Sequence, residues 1–263
     1  MPIDDSRFAN LLNAAKLGKN WQHLPMVTST SEIALTLAAQ GAPHGTLVIA
    51  DAQSAGRGRR GRTWQSPAGG GLYFSLVLSE EGFLGPHIMQ IASLSVIAAL
   101  EECGVQAAIK WPNDIVLNGK KIVGMLAEGK LLGGKQLLVL GVGINTAQGE
   151  ADFDKTQAPH ATSLRIETGR MVEEAALLCH FLSAMELYGQ LYEAQPAALR
   201  ERYAQKIITL GRQVQVLPAT GESYAAKAIA IAEGGGLIVE RCDGTRLTLM
   251  EGDVSVRGIM GYV

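Results

Sequence analysis

The chain has 263 residues, 47% of them hydrophobic and 18% charged, with a formal net charge of -2. This composition supports a large buried core, in one large domain or a large and a small one, and argues against disorder. The near-neutral balance argues against general nucleic-acid binding, which needs basic charge spread over a face. No apolar run reaches the roughly 18 residues that span a bilayer, and Met1 to Asp5 lack the basic and apolar regions of a signal peptide. The expectation is a soluble cytoplasmic protein with no membrane partner. Cys103, Cys179 and Cys242 are odd in number and widely spaced, which fits reduced structural thiols better than a disulfide framework or a zinc site. Cys179 beside His180 is read as structural too, since neighbours on a helix point about 100° apart.

In chain order, Ser29-Thr30-Ser31-Glu32 followed by Ile33, Ala34, Leu37 and Ala38 and closed by Gly41 predicts a helix with an N-terminal capping box. Thr46 to Ala50 is a short β-branched run that makes a buried strand. It delivers the chain into Gly56-Arg57-Gly58-Arg59-Arg60-Gly61-Arg62, a glycine-rich loop with four guanidinium groups. Arg offers bidentate hydrogen bonds to an anion, and Gly lets backbone N–H groups approach it. A solvated basic turn is the alternative. Both Gly56 to Thr63 and Gly124 to Leu131 approach the pattern of a phosphate-binding P-loop, but neither completes it. Pro67 and the glycines 69 to 71 oppose the helix such a loop requires. The segment therefore predicts a mobile strand-to-strand loop, ordered by ligand. Gly141-Val142-Gly143 lacks the third glycine of a dinucleotide fingerprint and has little specificity.

Gly71 to Leu78 alternates as a strand, and Pro86 to Cys103 is helical until Gly104 stops it. Val105 to Ile109 and Ile115 to Leu117 predict strands, and Asn118-Gly119 is the strongest hairpin signal in the chain. The returning strand begins at Lys120-Lys121 and continues through Glu128. Glycines 129, 133 and 134 bracket the next turn, and Gln136 to Val142 runs back. The result is an antiparallel meander with helices to one side. Residues 147 to 170 are turn-rich, and two helices follow, Met171 to Glu193 and Pro196 to about Gln205. Short runs at 213–217, 225–232, 236–241, 246–250 and 255–257, with turns at Gly234-Gly235 and Asp243-Gly244, describe a small β barrel. The expected boundary lies near residue 208, dividing the chain into 1–207 and 208–263.

Lys110-Trp111-Pro112-Asn113-Asp114 is the second unusual segment. Pro112 restricts φ and Trp111 can anchor the turn in the core, giving the Asn113 amide and the Asp114 carboxylate a defined direction. Alone, it is equally an Asx-capped turn. Together with the arginine loop, Lys121-Ile122-Val123-Gly124 and Gly141-Val142-Gly143-Ile144-Asn145, this order of motifs resembles the biotin protein ligases. These enzymes activate biotin with ATP and attach it to a lysine of an acceptor protein. The resemblance runs from about Ser29 to Asn145 and more weakly into the barrel.

The resemblance implies an α+β fold, a mixed and mainly antiparallel sheet flanked by helices of the class II synthetase-like biotin and lipoate ligase type, followed by an SH3-like barrel. It also implies the short monofunctional form, without the DNA-binding helix-turn-helix of some members, and hence no DNA partner. Biotin and ATP are the implied substrates, with Mg²⁺ on the phosphates and no residue assigned to a metal. Ser29, Thr30, Gln53 and the backbone near Arg57 and Gly124 match the family's biotin site. Ser31 stands where members often have Asn, so no ligand contact is assigned to it. Arg57, Arg59, Arg62 and Lys121 are expected to offset the charge of the reacting carboxylate and phosphates, with Trp64 and Asn145 at the adenylate and Gly56 and Asn113 among the binding residues. Arg57, Lys121 and Asp114 are the expected catalytic groups, Asp114 orienting or deprotonating the acceptor lysine. The barrel has no cluster of catalytic types and is read first as scaffold or as a hold for the acceptor domain, with Arg241 or Arg246 reaching towards the nucleotide as the lesser alternative. The implied acceptor is the biotin carboxyl carrier protein of acetyl-CoA carboxylase, and a homodimer stays open. Competing readings are a lipoate or octanoate ligase, a nucleic-acid binding module and a non-catalytic homologue.

Overall fold

The structure is a computed structural model that describes residues 3–80, 83–132, 134–154, 156, 158–218, 221–250, 254–258 and 262–263. Seven strands make the larger sheet: β1 (Trp21–Leu24), β2 (Leu47–Ala50), β3 (Gly71–Leu78), β4 (Ala108–Lys110), β5 (Asp114–Leu117), β6 (Lys120–Leu132) and β7 (Lys135–Asn145). Their spatial order is β1-β2-β3-β7-β6-β5-β4. β1 and β2 run parallel and every other neighbouring pair is antiparallel, so the sheet is mixed and mainly antiparallel as the meander predicts. Asn118 (φ 51°) and Gly119 (φ 77°) both take positive φ at the β5–β6 turn, the geometry a tight hairpin of right-handed twist demands. β6 runs on through Gly129, and Gly134 (φ 80°) lies in the following turn; Gly133 lies outside the described residues.

The helices are α1 (Asp5–Leu11), α2 (Thr30–Ala39), α3 (Ile88–Glu102), α4 (Leu164–Thr168), α5 (Glu174–Ala194) and α6 (Pro196–Lys206). β3 is buried along its whole length, because its side chains divide between two covered faces. Phe74, Leu76 and Leu78 pack into the main core with α3 and α5, where Phe74 meets Phe181 edge-on with ring centroids 5.1 Å apart. Truncating such a ring costs about 3–5 kcal/mol. Val77 points the other way and joins Ala34 of α2, Val48 and Val139. Helices to one side is therefore corrected. Because Val77 is buried on the face opposite to Phe74, Leu76 and Leu78, the sheet needs cover on both faces, and α2 supplies the second. α1 escaped the sequence reading; its signal is Asp4, whose side chain accepts the Arg7 N–H as a cap.

The five remaining strands are β8 (Gln213–Pro218), β9 (Tyr224–Ile231), β10 (Leu237–Glu240), β11 (Arg246–Leu249) and β12 (Val254–Gly258). They form an antiparallel sheet in the order β11-β10-β9-β8-β12, each strand at one of the five predicted runs. This small sheet is tied to the end of β4. The Ile208 N–H donates to the Ile109 carbonyl at 2.9 Å, and the buried Trp111 donates from its backbone to Thr209 Oγ1 and from its indole to the Gly235 carbonyl. Among the described residues no helix is long and apolar enough to cross a membrane.

Candidate active site

A cavity of about 260 Å³ opens where the N-terminus of α2, the arginine loop, the β4–β5 corner, β6, residues 158–161 and β12 meet. Ser29, Thr30, Gln53, Arg57, Arg59, Arg62, Trp64, Asn113, Asp114, Lys121 and Gly124 all line it. Folding thus gathers residues from widely separated stretches of chain around one space.

At one end the expected capping box is absent. The Ser29 side chain makes no cap hydrogen bond, and Glu32 instead accepts from Thr28 Oγ1 at 2.7 Å. Gln53 Oε1 serves the helix in its place, accepting the Thr30 N–H at 2.9 Å, while its Nε2 donates to Ser66 Oγ at 2.8 Å. One of the orphan donors of the first turn is satisfied from outside the helix. Ser29 Oγ is left buried with no partner among the described residues, which costs stability unless a ligand completes it. Ser31 also lines the cavity, its hydroxyl 3.1 Å from that of Ser75.

The arginine loop takes a folded path in this structure. It doubles back through bridges pairing Gln53 with Ser66 and Arg57 with Thr63, around a short 3₁₀ turn at Arg59–Gly61 in which Arg60 takes φ 57°. Protein oxygens supply acceptors that an anion was expected to provide. Arg57 Nη2 lies 2.7 Å from Glu128 Oε1, and Arg59 Nη1 donates to Asn113 Oδ1 at 2.9 Å. Asn113 in turn donates to the Met125 carbonyl. Gly56 is buried but does not line the cavity. A Cβ there would collide with the Trp64 carbonyl and stand 2.8 Å from Ser66 Oγ, so this glycine permits the loop's return.

Trp64 lies on the backbone of β6 and β7. A Cβ on Gly124 would come within 2.7 Å of the indole ring, and one on Gly143 would strike its Nε1. Two glycines therefore make the bed for one aromatic plate. Trp64 Nε1 is buried and has no partner among the described residues, and Lys121 Nζ stands 5.3 Å from the ring centroid.

Charges converge beside it. Lys121 Nζ is 2.5 Å from Asp114 Oδ1, and the Tyr262 hydroxyl donates to Asp114 Oδ2. Burial alone would raise the Asp114 carboxyl. The Lys121 and Lys110 cations, with hydrogen bonds from Lys121 and Tyr262, nevertheless hold it below the usual carboxylate range. Burial and the adjacent carboxylate raise the Tyr262 phenol, which keeps it protonated as a donor. Lys110 is buried, donates to the Val256 carbonyl at 3.1 Å and sits 4.0 Å from the Tyr262 ring centroid. Its ammonium is pushed down to about 8, by burial first and then by Lys121, Arg257 and Arg62, against the opposing pull of Asp114.

Two expectations need correction. Asn145 is buried behind the cavity wall, its Nδ2 donating to the Thr162 carbonyl and its Oδ1 accepting from Gln148 Nε2. With its amide held by the protein, it does not face the space where a nucleotide would be read. In the barrel, Arg241 stacks 4.6 Å over Tyr224 and Arg246 pairs with Glu240 at 2.9 Å. Their places at the cavity are taken by Arg257 and Tyr262. Sequence reasoning missed both, along with Lys110 and the strip 158–161, whose His160 carbonyl accepts the Lys121 N–H at 2.8 Å. Lys110 had a signal, a cation one residue before the Trp-Pro step; Tyr262 had none.

Residues 24–145 match the Biotin/lipoate A/B protein ligase family, and residues 209–257 match the Biotin protein ligase C terminal domain. The chain is 36% identical over 230 residues to the biotin--[acetyl-CoA-carboxylase] ligase of Paracoccus denitrificans, covering 82% of this chain and 92% of the relative. The chain belongs to the biotin protein ligase family. It is also 34% identical over 252 residues to the bifunctional ligase/repressor BirA of Bacillus subtilis, covering 93% of this chain and 76% of that protein. Among solved structures it resembles the biotin protein ligase from Aquifex aeolicus in complex with biotin and ATP, at 30% identity and a TM-score of 0.77, covering 91% of this chain and 99% of that one. The C-terminal match is to a domain described for biotin protein ligases and these relatives are named as biotin ligases, so the lipoate alternative is not favoured.

Proposed function

We infer that the protein is an ATP-dependent ligase that converts biotin to biotinyl-5′-AMP and transfers it to a specific lysine of a biotin carboxyl carrier domain, that of acetyl-CoA carboxylase. The observation that carries this reading is the single cavity in which a polar end at Ser29, Thr30 and Gln53 meets a cationic end at Arg57, Arg59, Arg62 and Lys121. A neutral ring needing paired donors and acceptors suits the first; converging anions suit the second.

In the first step an oxygen of the biotin carboxylate attacks the α-phosphorus of ATP and pyrophosphate leaves. No enzyme nucleophile is needed, so the work is positioning and charge stabilisation. Lys121 is the cation best placed to touch carboxylate and α-phosphate together, with Arg57, Arg59 and Arg62 beside the phosphates. Trp64 covers the reacting acid and its nucleotide, which shields the mixed anhydride from water. Magnesium enters as part of the substrate MgATP.

In the second step the acceptor amine attacks the acyl carbon, the bond from that carbon to the AMP phosphate oxygen breaks, and the amine's proton passes to the departing AMP phosphate or to solvent water. A free lysine stands about 3.4 units above neutral pH, roughly 4.6 kcal/mol. Asp114, held below its ordinary range and engaged by Lys121 and Tyr262, is a poor base for that proton. Its role is to orient Lys121. We assign residues 1–207 to the catalytic unit and 208–263 to the barrel, whose last strand closes one wall of the site.

Calorimetry with biotin, with and without ATP, tests the reading, together with biotin-dependent exchange of pyrophosphate into ATP. Labelled biotin should be displaced by biotin and not by lipoate or octanoate; displacement by lipoate instead would sink it.

A further inference from the structure

Tyr262 lies beyond residue 257, where the C-terminal family match ends, yet it lines the cavity with Asp114 and Lys121. Its surroundings are not those of an aromatic covering apolar surface. Its hydroxyl meets the Asp114 carboxylate, its ring lies under the Lys110 ammonium, and it stacks on His160 with centroids 4.8 Å apart and planes 20° from parallel. All three contacts lead to Lys121 or to the carboxylate that holds it. Asp114 holds Lys121 Nζ directly, His160 holds the Lys121 backbone N–H, and Lys110 is the second cation beside the Asp114 carboxylate.

We propose that Tyr262 is a positioning residue of the ligation site: by donating to Asp114 Oδ2 it turns the carboxylate so that Oδ1 holds Lys121 Nζ toward the reacting centre. The inference rests on the assignment of Lys121 to that centre. A carboxylate oxygen with a fixed neutral donor cannot rotate to take Lys121 on both oxygens, and the ammonium keeps N–H bonds for substrate oxygens. The cost of this arrangement is a buried site that depends on the far end of the chain. The charged and titratable groups around the carboxylate are Lys121 from β6, Lys110 from β4 and Tyr262 itself, with Arg62, Arg257 and His160 at the tyrosine.

The test is biotin-dependent pyrophosphate exchange by wild type, Tyr262→Phe, Asp114→Asn and the double variant across pH, at temperatures well below each melting point. Tyr262→Phe is expected to lower kcat about tenfold or more with the biotin KM little changed, the scale of a hydrogen bond to a charged group. Its acid limb should move to higher pH, since a carboxylate deprived of a donor takes up a proton more readily. In the Asp114→Asn background the same change should add nothing. An unmoved acid limb, or an equal loss in both backgrounds, would reduce Tyr262 to packing and overturn the inference. Absence of exchange in the wild type would overturn the functional reading with it, whereas normal wild-type exchange beside an unaltered Tyr262→Phe would overturn this inference alone.

Discussion

Lys121 and Asp114 form an ion pair, Nζ to Oδ1 at 2.5 Å, with side chains only 24% and 13% exposed. The cation assigned to the substrate anions is thus already balanced by the protein, and substrate oxygens add to the pair instead of replacing an empty site. Removing one partner strands a buried charge, which costs about 3–5 kcal/mol, while removing both can be nearly neutral. Lys121→Ala should lose at least about two orders of magnitude in adenylate formation and also lower the melting temperature. Lys121→Met combined with Asp114→Asn should recover the melting temperature without recovering exchange. Recovery of both would detach the pair from catalysis.

Ser29→Ala separates ligand binding from folding. The hydroxyl has no partner among the described residues, so its removal should leave stability equal or slightly higher. The biotin dissociation constant should rise about 5- to 15-fold, the scale of one net hydrogen bond of 1–1.5 kcal/mol. Calorimetry and thermal melting on the same sample decide it; a destabilised variant with unchanged affinity would show the hydroxyl to be structural.

Gly143→Ala places a methyl group where Trp64 Nε1 stands. Overpacking of this kind costs about 1–3 kcal/mol, and the indole must lift from the sheet to avoid it. Preformed biotinyl-adenylate should escape roughly tenfold faster or more, measured by a chase with unlabelled biotin. An unaltered escape rate would mean that Trp64 does not cover the intermediate.

Lys110 gives a pH signature. Its folded value of about 8 lies below the ordinary 10.5, so between these values the unfolded chain binds more protons and stability rises with pH. The contribution is lost below about 8, where both states are protonated. Relative to Lys110→Met, the wild type should therefore gain on the order of 2–3 kcal/mol between pH 8 and 10.5, read as the difference between two urea-denaturation series. Parallel curves would show that the buried ammonium does not titrate there.

Much of the fold was legible where local rules dominate. Asn118-Gly119 specified its turn because few residue pairs tolerate two positive φ values, and Gly104 (φ 74°) ended α3 on the same ground. The capping box misled because Ser29, a good cap by type, competes with Gln53, 24 residues later, for the same helix end. The side on which α2 packs was hidden too, since β3 is buried on both faces and its alternation does not say which face a given helix covers.

By itself the sequence determined most of the strand order, the longer helices other than α1 and α4, and the family resemblance, because these depend on backbone preferences and motifs acting within a few neighbouring residues. Only the tertiary structure decided which side chains are already engaged and which are left for a ligand. Arg57 finds Glu128 71 positions away and Tyr262 finds Asp114 across 148, whereas Ser29 Oγ finds no partner among the described residues. Hydrogen bonds and ion pairs are set by distances of about 3 Å, and separation along the chain carries no information about them until the sheet has closed.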